Sequence, residues 1–345
     1  MLLYGTILLV GFGLRIWDVG ARAMHHDESL HAYYAWKFFV GQGYSYDPLM
    51  HGPLQFEVVP LFYLLFGVSE FSARLLAVLL GTALVALPYF LRAYLTRTGA
   101  LLAALLLAVS PGMVYFSRFI RDDIYLAFFS LLLFICLVRY IDTPKPFYLY
   151  VASATMALAM ASMEAAYITF FIFASFLFFE WLREYLTGGT GQLITALRAT
   201  SLDTLLTCIC IFVVIIVLTY STFFTNPYGI WDTQHSFTSS ARKDIFGGLL
   251  YWKAQHSIQR GGQPWFYYLL VLPLYEQVAV VFGIAGIVYA AIRRSFVGTF
   301  LVWWALFSLG MYSWAGEKMP WLSIHIALPF ILLAAFFLGN AFASR

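Results

Sequence analysis

"DIYLAFFSLLLFICLVRYI", residues 123–141, is an apolar run that carries charge only at its two ends. A run of this length can cross the hydrocarbon core of a bilayer as an α-helix, which takes about 20 residues. Similar runs recur from one end of the chain to the other. The 345-residue chain is 62% hydrophobic and 11% charged, against about 25% charged in an ordinary soluble domain. The sequence therefore predicts an all-α, polytopic membrane protein.

About ten transmembrane helices are predicted from the apolar runs. The run at 146–182 is divided at Glu164, because a carboxylate at mid-bilayer is costly. The run at 54–67 is too short to span comfortably, so it is placed at the interface. Pro273 predicts a kink in one long span. The predicted spans are approximately 1–17, 71–95, 99–117, 123–141, 146–162, 165–182, 200–224, 265–291, 297–313 and 319–341.

The first apolar run is interpreted as a retained span, because it lacks a basic leading region and a small-residue cleavage site. The chain is expected to be a single domain, residues 1–345. The three cysteines lie in apolar runs and are interpreted as small buried hydrophobic residues rather than as metal ligands. The net charge of +3 is too small to indicate nucleic-acid binding.

Short connections rich in arginine and lysine alternate with acidic ones, which orients the chain in the membrane. Basic connections should face the cytoplasm. The opposite, outer side then holds two long segments, 18–70 and 225–264, and most of the carboxylates. The sequence therefore predicts an integral protein of the cell membrane whose polar chemistry lies on the extracytoplasmic face.

Four outer segments concentrate polar residues: HHDES at 25–29, YDPLMHGPLQF at 46–56, SRFIRDDIY at 117–125 and WAGEKMPW at 314–321. The first segment opens a stretch of near-helical apolar periodicity, which predicts an amphipathic helix along the membrane surface, with Asp27 capping its start. Adjacent carboxylates on a helix point in different directions, so Asp27 and Glu28 cannot both face one site. One should face the site and the other should support it.

Each of these residues also has a structural interpretation. Asp27 could be only an N-cap, and Asp122 and Asp123 could serve the helix dipole with Arg118 and Arg121 as ion-pair partners. Glu317 and Lys318 could form an exposed turn, and His51 could be an ordinary loop residue. His25 and His26 could line a wet interface, and His325 could be a satisfied interior group. The coincidence of four such segments on one face favours a functional site.

Acids, histidines and cations at the outer face of a membrane suit transfer of a group from a lipid phosphate. An acceptor hydroxyl needs a base, and an aspartate can serve as one. A phosphate leaving group needs lysine, arginine or a divalent metal nearby. The lipid tail needs an apolar groove between helices, which this chain can supply.

These outer motifs resemble those of the membrane glycosyltransferases of the GT-C fold. The acidic pair after the first span, HGPL at 51–54 and R-x-x-R-D-D at 118–123 are similar to motifs of the protein O-mannosyltransferases and the aminoarabinose transferases of lipid A. HHDESLHAYYAWKF, RGGQPWFYYLLVLPLYE and WAGEKMPWLSIHIALP resemble more closely a branch often labelled flippase-activity-associated protein, found in archaea and some bacteria. The resemblance covers nearly the whole chain.

The resemblance implies an inverting transfer from a polyprenyl-phosphate sugar to a lipid or protein acceptor. It places Asp27, with Glu28 beside it, as the catalytic acidic residue, and Asp122 and Asp123 as the second acidic motif. His51 stands at the position of the family's phosphate-binding or loop-orienting basic residue, which is a lysine in one form of the motif. A neutral imidazole neutralises phosphate less well, so another cation must help or His51 must be protonated. The remaining expected site residues are Arg118 and Arg121 at the second acidic motif, Arg260 and Lys318 on the donor phosphate, and Glu317.

A divalent metal, Mg²⁺ or Mn²⁺, is left open by the resemblance, with Asp27, His26 and Asp122 as candidate ligands. Two other functions are weighed against the enzyme. A flippase for lipid-linked sugars predicts polar residues at mid-bilayer, whereas here the middles of the spans are almost free of charge. A non-catalytic subunit that retains the fold and binds partner subunits stays open. Expected partners are the lipid-linked sugar, its acceptor and membrane lipids, without nucleic acid.

Overall fold

The computed structural model describes residues 2–226, 230, 247–258 and 261–343. Within these ranges the chain is helical and contains no β-strand. Its α-helices are α1 (Leu2–Ile16), α2 (His26–Phe39), α3 (Leu54–Phe66), α4 (Glu70–Ala86), α5 (Thr96–Val109), α6 (Pro111–Phe116), α7 (Asp123–Asp142), α8 (Pro146–Ser162), α9 (Ala166–Leu186), α10 (Gln192–Ala199), α11 (Leu202–Tyr220), α12 (Gly247–Ile258), α13 (Tyr267–Tyr275), α14 (Gln277–Arg293), α15 (Phe296–Trp314) and α16 (Ser323–Ala343).

Three apolar helices form the interior of the bundle. The apolar stretch that contains α16 is 83% buried, that of α7 78% and that of α4 61%, whereas α9 and α11 are only 28% and 17% buried. Helix α16 packs against α5 and α14. Gly339 of α16 lies so near Gly99 of α5 that a Cβ on either would overlap backbone of the other helix. Small residues let membrane helices approach closely, so this pair sets the spacing of the central helices.

The predicted fold class is confirmed, and helices occur along all the predicted spans, while the count of about ten spans is not confirmed. Within the described ranges, six helices are long and apolar enough to cross a membrane, or seven if the bent pair α13–α14 counts as one span. Helices α1, α3, α5 and α8 are apolar but shorter.

The kink predicted at Pro273 is present as a bend of 111° between α13 and α14. The break itself lies at Glu276, between the two helices, whereas Pro273 lies inside α13. The Glu276 Oε1 atom accepts hydrogen bonds from Ser110 Oγ at 2.6 Å and from the Gly112 amide at 3.0 Å. This buried carboxylate therefore fixes the break against the start of α6.

Buried Arg15 ties the end of α1 to the loop that precedes α7. Its guanidinium donates to the carbonyls of Leu107 and Ala108 in the last turn of α5, and to Ser117 Oγ at 3.1 Å. A cation is favourable there, because the carbonyls at a helix C-terminus carry partial negative charge. Through Ser117, the arginine fixes where the 117–122 loop begins.

Candidate active site

The acidic pair lies at the start of α2, but Asp27 is not its cap. The N-cap is His25, whose Nδ1 accepts from the Asp27 amide, while Glu28 accepts from the His25 amide to complete a capping box. The prediction that Asp27 caps the helix is therefore wrong. A histidine nitrogen makes the same acceptor contact, which leaves the Asp27 carboxylate available for another partner.

Glu28 is buried and accepts five hydrogen bonds. Arg74 donates two at 2.8 and 3.1 Å, Arg22 donates one at 2.7 Å, and the amides of His25 and Ile120 donate at 3.0 and 3.2 Å. Burial raises the pKa of Glu28, but the arginines and the His25 amide outweigh it, so the pKa lies below its ordinary value. Since its oxygens are all engaged, we assign Glu28 the task of pinning the 117–122 loop to α2.

Arg121 joins the segments that the sequence singled out. Its Nη1 donates to Asp27 Oδ2 at 2.7 Å, its Nε donates to Asp123 Oδ2 at 3.1 Å, and its Nη2 lies 3.4 Å from His51 Nε2. The guanidinium carbon lies 3.9 Å from the centre of the Trp321 ring, a favourable cation–π distance. All three nitrogens of one planar group are thus used, which fixes its orientation.

Asp122 and Asp123 have opposite surroundings although they are neighbours. Asp123 binds Arg121 and lies 3.3 Å from His325 Nε2. Both oxygens of Asp122 are buried and have no hydrogen-bond partner among the described residues. Burial is the main reason why the pKa of Asp122 lies well above its ordinary value. Asp122 is therefore a buried carboxyl group without a hydrogen-bond partner among the described residues, whereas Asp123 is a buried carboxylate held by an arginine.

The contrast predicts unequal effects of the same chemical change on stability. Asp122→Asn breaks no hydrogen bond with the described residues, so the free energy of unfolding should fall by less than about 1 kcal/mol. Asp123→Asn leaves buried Arg121 with one fewer anionic partner, so the free energy of unfolding should fall by about 3 kcal/mol. Denaturant unfolding of both variants in the same detergent measures the difference. Equal costs would show that Asp122 makes a stabilising contact as strong as those of Asp123.

The HGPL segment turns sharply beside the end of α8. His51 has φ 68° and ψ −160°, a region that is almost reserved for glycine. The next residue, Gly52, donates its amide hydrogen to the carbonyl of Ser162 at 3.1 Å. A Cβ on Gly52 would overlap the carbonyl of Ala161. Glycine is thus required for the close approach, while the strain is carried by the histidine before it.

The strain at His51 predicts an inverted preference between two small residues. Both His51→Gly and His51→Ala lose the same imidazole contacts, but only glycine adopts this backbone conformation freely. The glycine variant should therefore be more stable than the alanine variant by about 1–3 kcal/mol. At exposed Ser29, inside α2, the alanine variant should instead be more stable than the glycine variant by about 1 kcal/mol. Thermal or denaturant unfolding of the four variants tests this, and an alanine variant as stable as glycine at position 51 would contradict it.

The His51 ring is held on three sides. Its Nδ1 lies 2.9 Å from Glu164 Oε2, its Nε2 faces Arg121, and its plane stacks on Trp252 with 5.3 Å between ring centres and 3° between planes. Tyr46 donates to the other oxygen of Glu164 at 3.3 Å. The basic position of the second outer segment is therefore linked to the acid at the end of α8.

A second buried histidine supports the same loop. His31 Nδ1 lies 2.6 Å from Gln55 Nε2, and Tyr125 donates to Gln55 Oε1 at 3.0 Å. Burial, with the positive charge of Arg121, holds the pKa of His31 well below its ordinary value. His31 is therefore a neutral structural contact between α2, α3 and α7.

A cavity of about 480 Å³ opens beside Arg121, His51 and Glu164. Its volume falls in the range of small-molecule sites, about 300–1,000 Å³. Three tryptophans contribute to its wall, and the charged side chains of Lys253 and Glu317 also line it. Asp27 is not part of the wall and is one-quarter exposed, so Arg121 is the link between the acid and the cavity. The tryptophans are Trp252, Trp314 and Trp321.

Several predicted residues are placed elsewhere. Arg118 donates to the backbone carbonyls of Leu14 and Asp18, not to the acidic motif. Lys318 is buried and donates to the Ala315 carbonyl at 2.7 Å, and it does not line the cavity. The structure thus separates Arg118 and Lys318 from the Arg121 cluster. Arg260 lies outside the described residues.

The candidate metal ligands do not converge. His26 is exposed at the start of α2, Asp27 is bound by Arg121, and Asp122 is buried without a partner. In the described part of the chain, no group of three or more histidine, cysteine or acidic side chains could hold a metal ion. These residues therefore do not fit a divalent metal in this conformation.

Sequence reasoning omitted four residues that shape the site. Glu164 is predicted only as an outer-side carboxylate that divides an apolar run, without a role in the site. Lys253, Trp252 and His256 lie in the second long outer segment, which gave no motif. The sequence feature that could have identified them is a lysine beside aromatic residues in the segment 225–264.

Residues 50–202 match the family described as dolichyl-phosphate-mannose-protein mannosyltransferase. No curated protein sequence matches the chain significantly. Two solved structures are similar in fold. ArnT from Cupriavidus metallidurans bound to undecaprenyl phosphate is 16% identical, with a TM-score of 0.74 over 98% of this chain. The oligosaccharyltransferase of Archaeoglobus fulgidus is 17% identical, with a TM-score of 0.69 over 99% of this chain.

The chain spans 59% of that ArnT and 50% of that oligosaccharyltransferase. The same archaeal enzyme, AglB, has also been solved with an inhibitory peptide and a dolichol-phosphate, with a TM-score of 0.65. At this level of identity the likeness concerns the fold. The resemblance to the GT-C fold is therefore confirmed at the level of the fold, and the flippase-activity-associated branch stays a prediction.

Proposed function

We propose that this protein is a membrane glycosyltransferase that moves a sugar from a polyprenyl-phosphate donor to a lipid or protein acceptor at the extracytoplasmic face. The observation that carries the proposal is Arg121, which binds Asp27 on one side and lines a 480 Å³ cavity on the other. A base and a buried cation are thus joined next to a space for a ligand. The neighbouring structures with undecaprenyl phosphate and dolichol-phosphate support a donor of this lipid class.

Asp27 is the proposed catalytic base. Its Oδ2 is bound by Arg121, while its Oδ1 accepts no hydrogen bond from the described residues. The acceptor hydroxyl gives its proton to Asp27 as its oxygen bonds to the anomeric carbon of the sugar. The bond from that carbon to the phosphate oxygen breaks, and the electron pair leaves with the polyprenyl phosphate. A single displacement of this kind inverts the anomeric centre.

Arg121 and Lys253 are the proposed cations for the leaving phosphate. Both line the cavity. Lys253 lies on α12, whose Trp252 stacks on the His51 ring. Cations positioned where negative charge develops stabilise the transition state more in a site sheltered from water than in solution. The aromatic walls give apolar faces to the sugar and to the first part of the lipid.

The test is a transfer assay with the purified full chain. A panel of radiolabelled polyprenyl-phosphate sugars is incubated with membrane extract as the acceptor source, with and without Mg²⁺ or Mn²⁺, and with a chelator. We expect label to move from one donor to an acceptor, with stoichiometric release of polyprenyl phosphate. If every donor is recovered intact under all conditions, the protein is not a transferase, and a transporter or a complex subunit becomes the better account.

A further inference from the structure

We propose that Glu164 and His51 are positioning residues that orient Arg121 and, through it, Asp27. In this arrangement Glu164 holds a proton on Nδ1 of His51, so that Nε2 of the ring is free to accept a hydrogen bond from Arg121. The inference rests on the proposed function, because it concerns the geometry of that site. It gives His51 the task of orienting Arg121 rather than of binding phosphate, which is one of the two roles that the motif resemblance implied.

The protonation of His51 follows from its two neighbours. A guanidinium has only donors, so the Arg121 contact at 3.4 Å requires a lone pair on Nε2. The other nitrogen, Nδ1, then carries the proton and donates it to Glu164 Oε2 at 2.9 Å. Because a histidine with both nitrogens protonated would turn an N–H toward Arg121, this geometry selects one neutral tautomer.

Packing holds the pair in place. Trp252 stacks on the imidazole, and Tyr46 donates to Glu164. Gly248 of α12 lies so close to Glu164 that a Cβ there would be 2.6 Å from its Cγ. The His51 backbone is also strained, with φ 68°. Strain that packing maintains is frequent at functional sites, and here it serves to point the ring between Glu164 and Arg121.

The consequence for chemistry is that both ring nitrogens of His51 are engaged. The imidazole has no proton to offer a phosphate without losing its contact with Glu164 or Arg121. His51 instead fixes the third nitrogen of a guanidinium whose other two hold Asp27 and Asp123. A shift of the base by about 1 Å can lower a rate by about 100-fold, so the pair affects turnover although it does not touch the reacting atoms.

The tautomer can be read directly by ¹⁵N NMR of histidine-labelled protein in detergent. The chain has seven histidines, and the His51→Gln variant identifies the His51 signals by their loss. We expect wild-type His51 to carry its proton on Nδ1, and Glu164→Met to weaken that preference, because the Arg121 contact alone then favours it. A proton on Nε2, or on both nitrogens, in the wild-type protein would overturn the inference.

Kinetics then separate positioning from binding. Glu164→Met should lower kcat by about 10–100-fold, with the donor KM changed by less than about 3-fold. Glu164→Gln keeps an oxygen that accepts the Nδ1 proton, so it should restore most of the lost kcat. A donor KM that rises while kcat is kept would mean that the pair binds substrate, which contradicts a positioning role.

The two measurements keep this inference apart from the proposed function. If the wild-type protein consumes no donor, the transferase proposal fails, and the NMR tautomer still decides whether Glu164 and His51 form the pair. If transfer occurs but Glu164→Met turns over at the wild-type rate, the proposed function stands and the positioning role is wrong.

Discussion

Arg121→Met is expected to destabilise the protein by about 3–5 kcal/mol, because it leaves one carboxylate buried without its cation. Asp123 is 1% exposed, and its remaining partner among the described residues is His325. The same change frees Asp27 and removes the proposed phosphate cation, so transfer should be lost even at temperatures where the variant stays folded. Denaturant unfolding and transfer assays on the same preparation measure the two effects.

Arg118→Met is the matched control, since it removes the same charge from the same loop. Among the described residues, the hydrogen bonds of the Arg118 side chain go to the backbone carbonyls of Leu14 and Asp18. Its loss should therefore lower the free energy of unfolding by less than about 1 kcal/mol and leave transfer near the wild-type rate. If Arg118 and Arg121 variants behaved alike, the cluster around Arg121 would not be the centre of the site.

Gly52→Ala is expected to be the most damaging change of a single methyl group. The added Cβ would overlap the carbonyl of Ala161, and backbone cannot move aside as a flexible side chain can. The HGPL segment would separate from the end of α8, which moves His51 away from Arg121. We expect a loss of several kcal/mol in the free energy of unfolding, at the upper end of single-residue effects, together with loss of transfer.

Gly13→Ala in α1 provides the comparison, because a Cβ there meets nothing within 4 Å. In a helix, alanine is favoured over glycine by about 1 kcal/mol, so this variant should be at least as stable as the wild type. A Gly52→Ala protein with wild-type unfolding and activity would show that HGPL does not pack against α8 as described.

The membrane fold could be predicted from the sequence because hydropathy reports directly on burial in lipid. Apolar runs located the helices, and the acidic outer motifs located Asp27, Asp123 and Arg121 on adjoining elements. The same reasoning failed on the identity of the helix cap, because His25 uses a ring nitrogen for a contact usually made by a shorter polar side chain. It also treated Asp122 and Asp123 as one motif.

What could not be predicted is how side chains pair across distant segments. Whether Arg118 or Arg121 reaches the acids depends on the turn of the 117–122 loop, which Glu28 fixes through the Ile120 amide. The use of Glu164 as the partner of His51 depends on the approach of Gly52 to the end of α8. Neither contact leaves a spacing pattern in a single sequence, since the partners lie far apart along the chain.

The measurement that tests the central claim most directly is the transfer rate of Asp27→Asn beside that of Asp18→Asn. Both variants make the same chemical change in the same outer segment, but Asp18 is exposed and stands outside the Arg121 cluster. Loss of a general base typically costs about 100–10,000-fold in rate. We predict a loss of this size for Asp27→Asn, with Asp18→Asn near the wild-type rate and both proteins folded. Undiminished transfer by Asp27→Asn would contradict the assignment of Asp27 as the catalytic base.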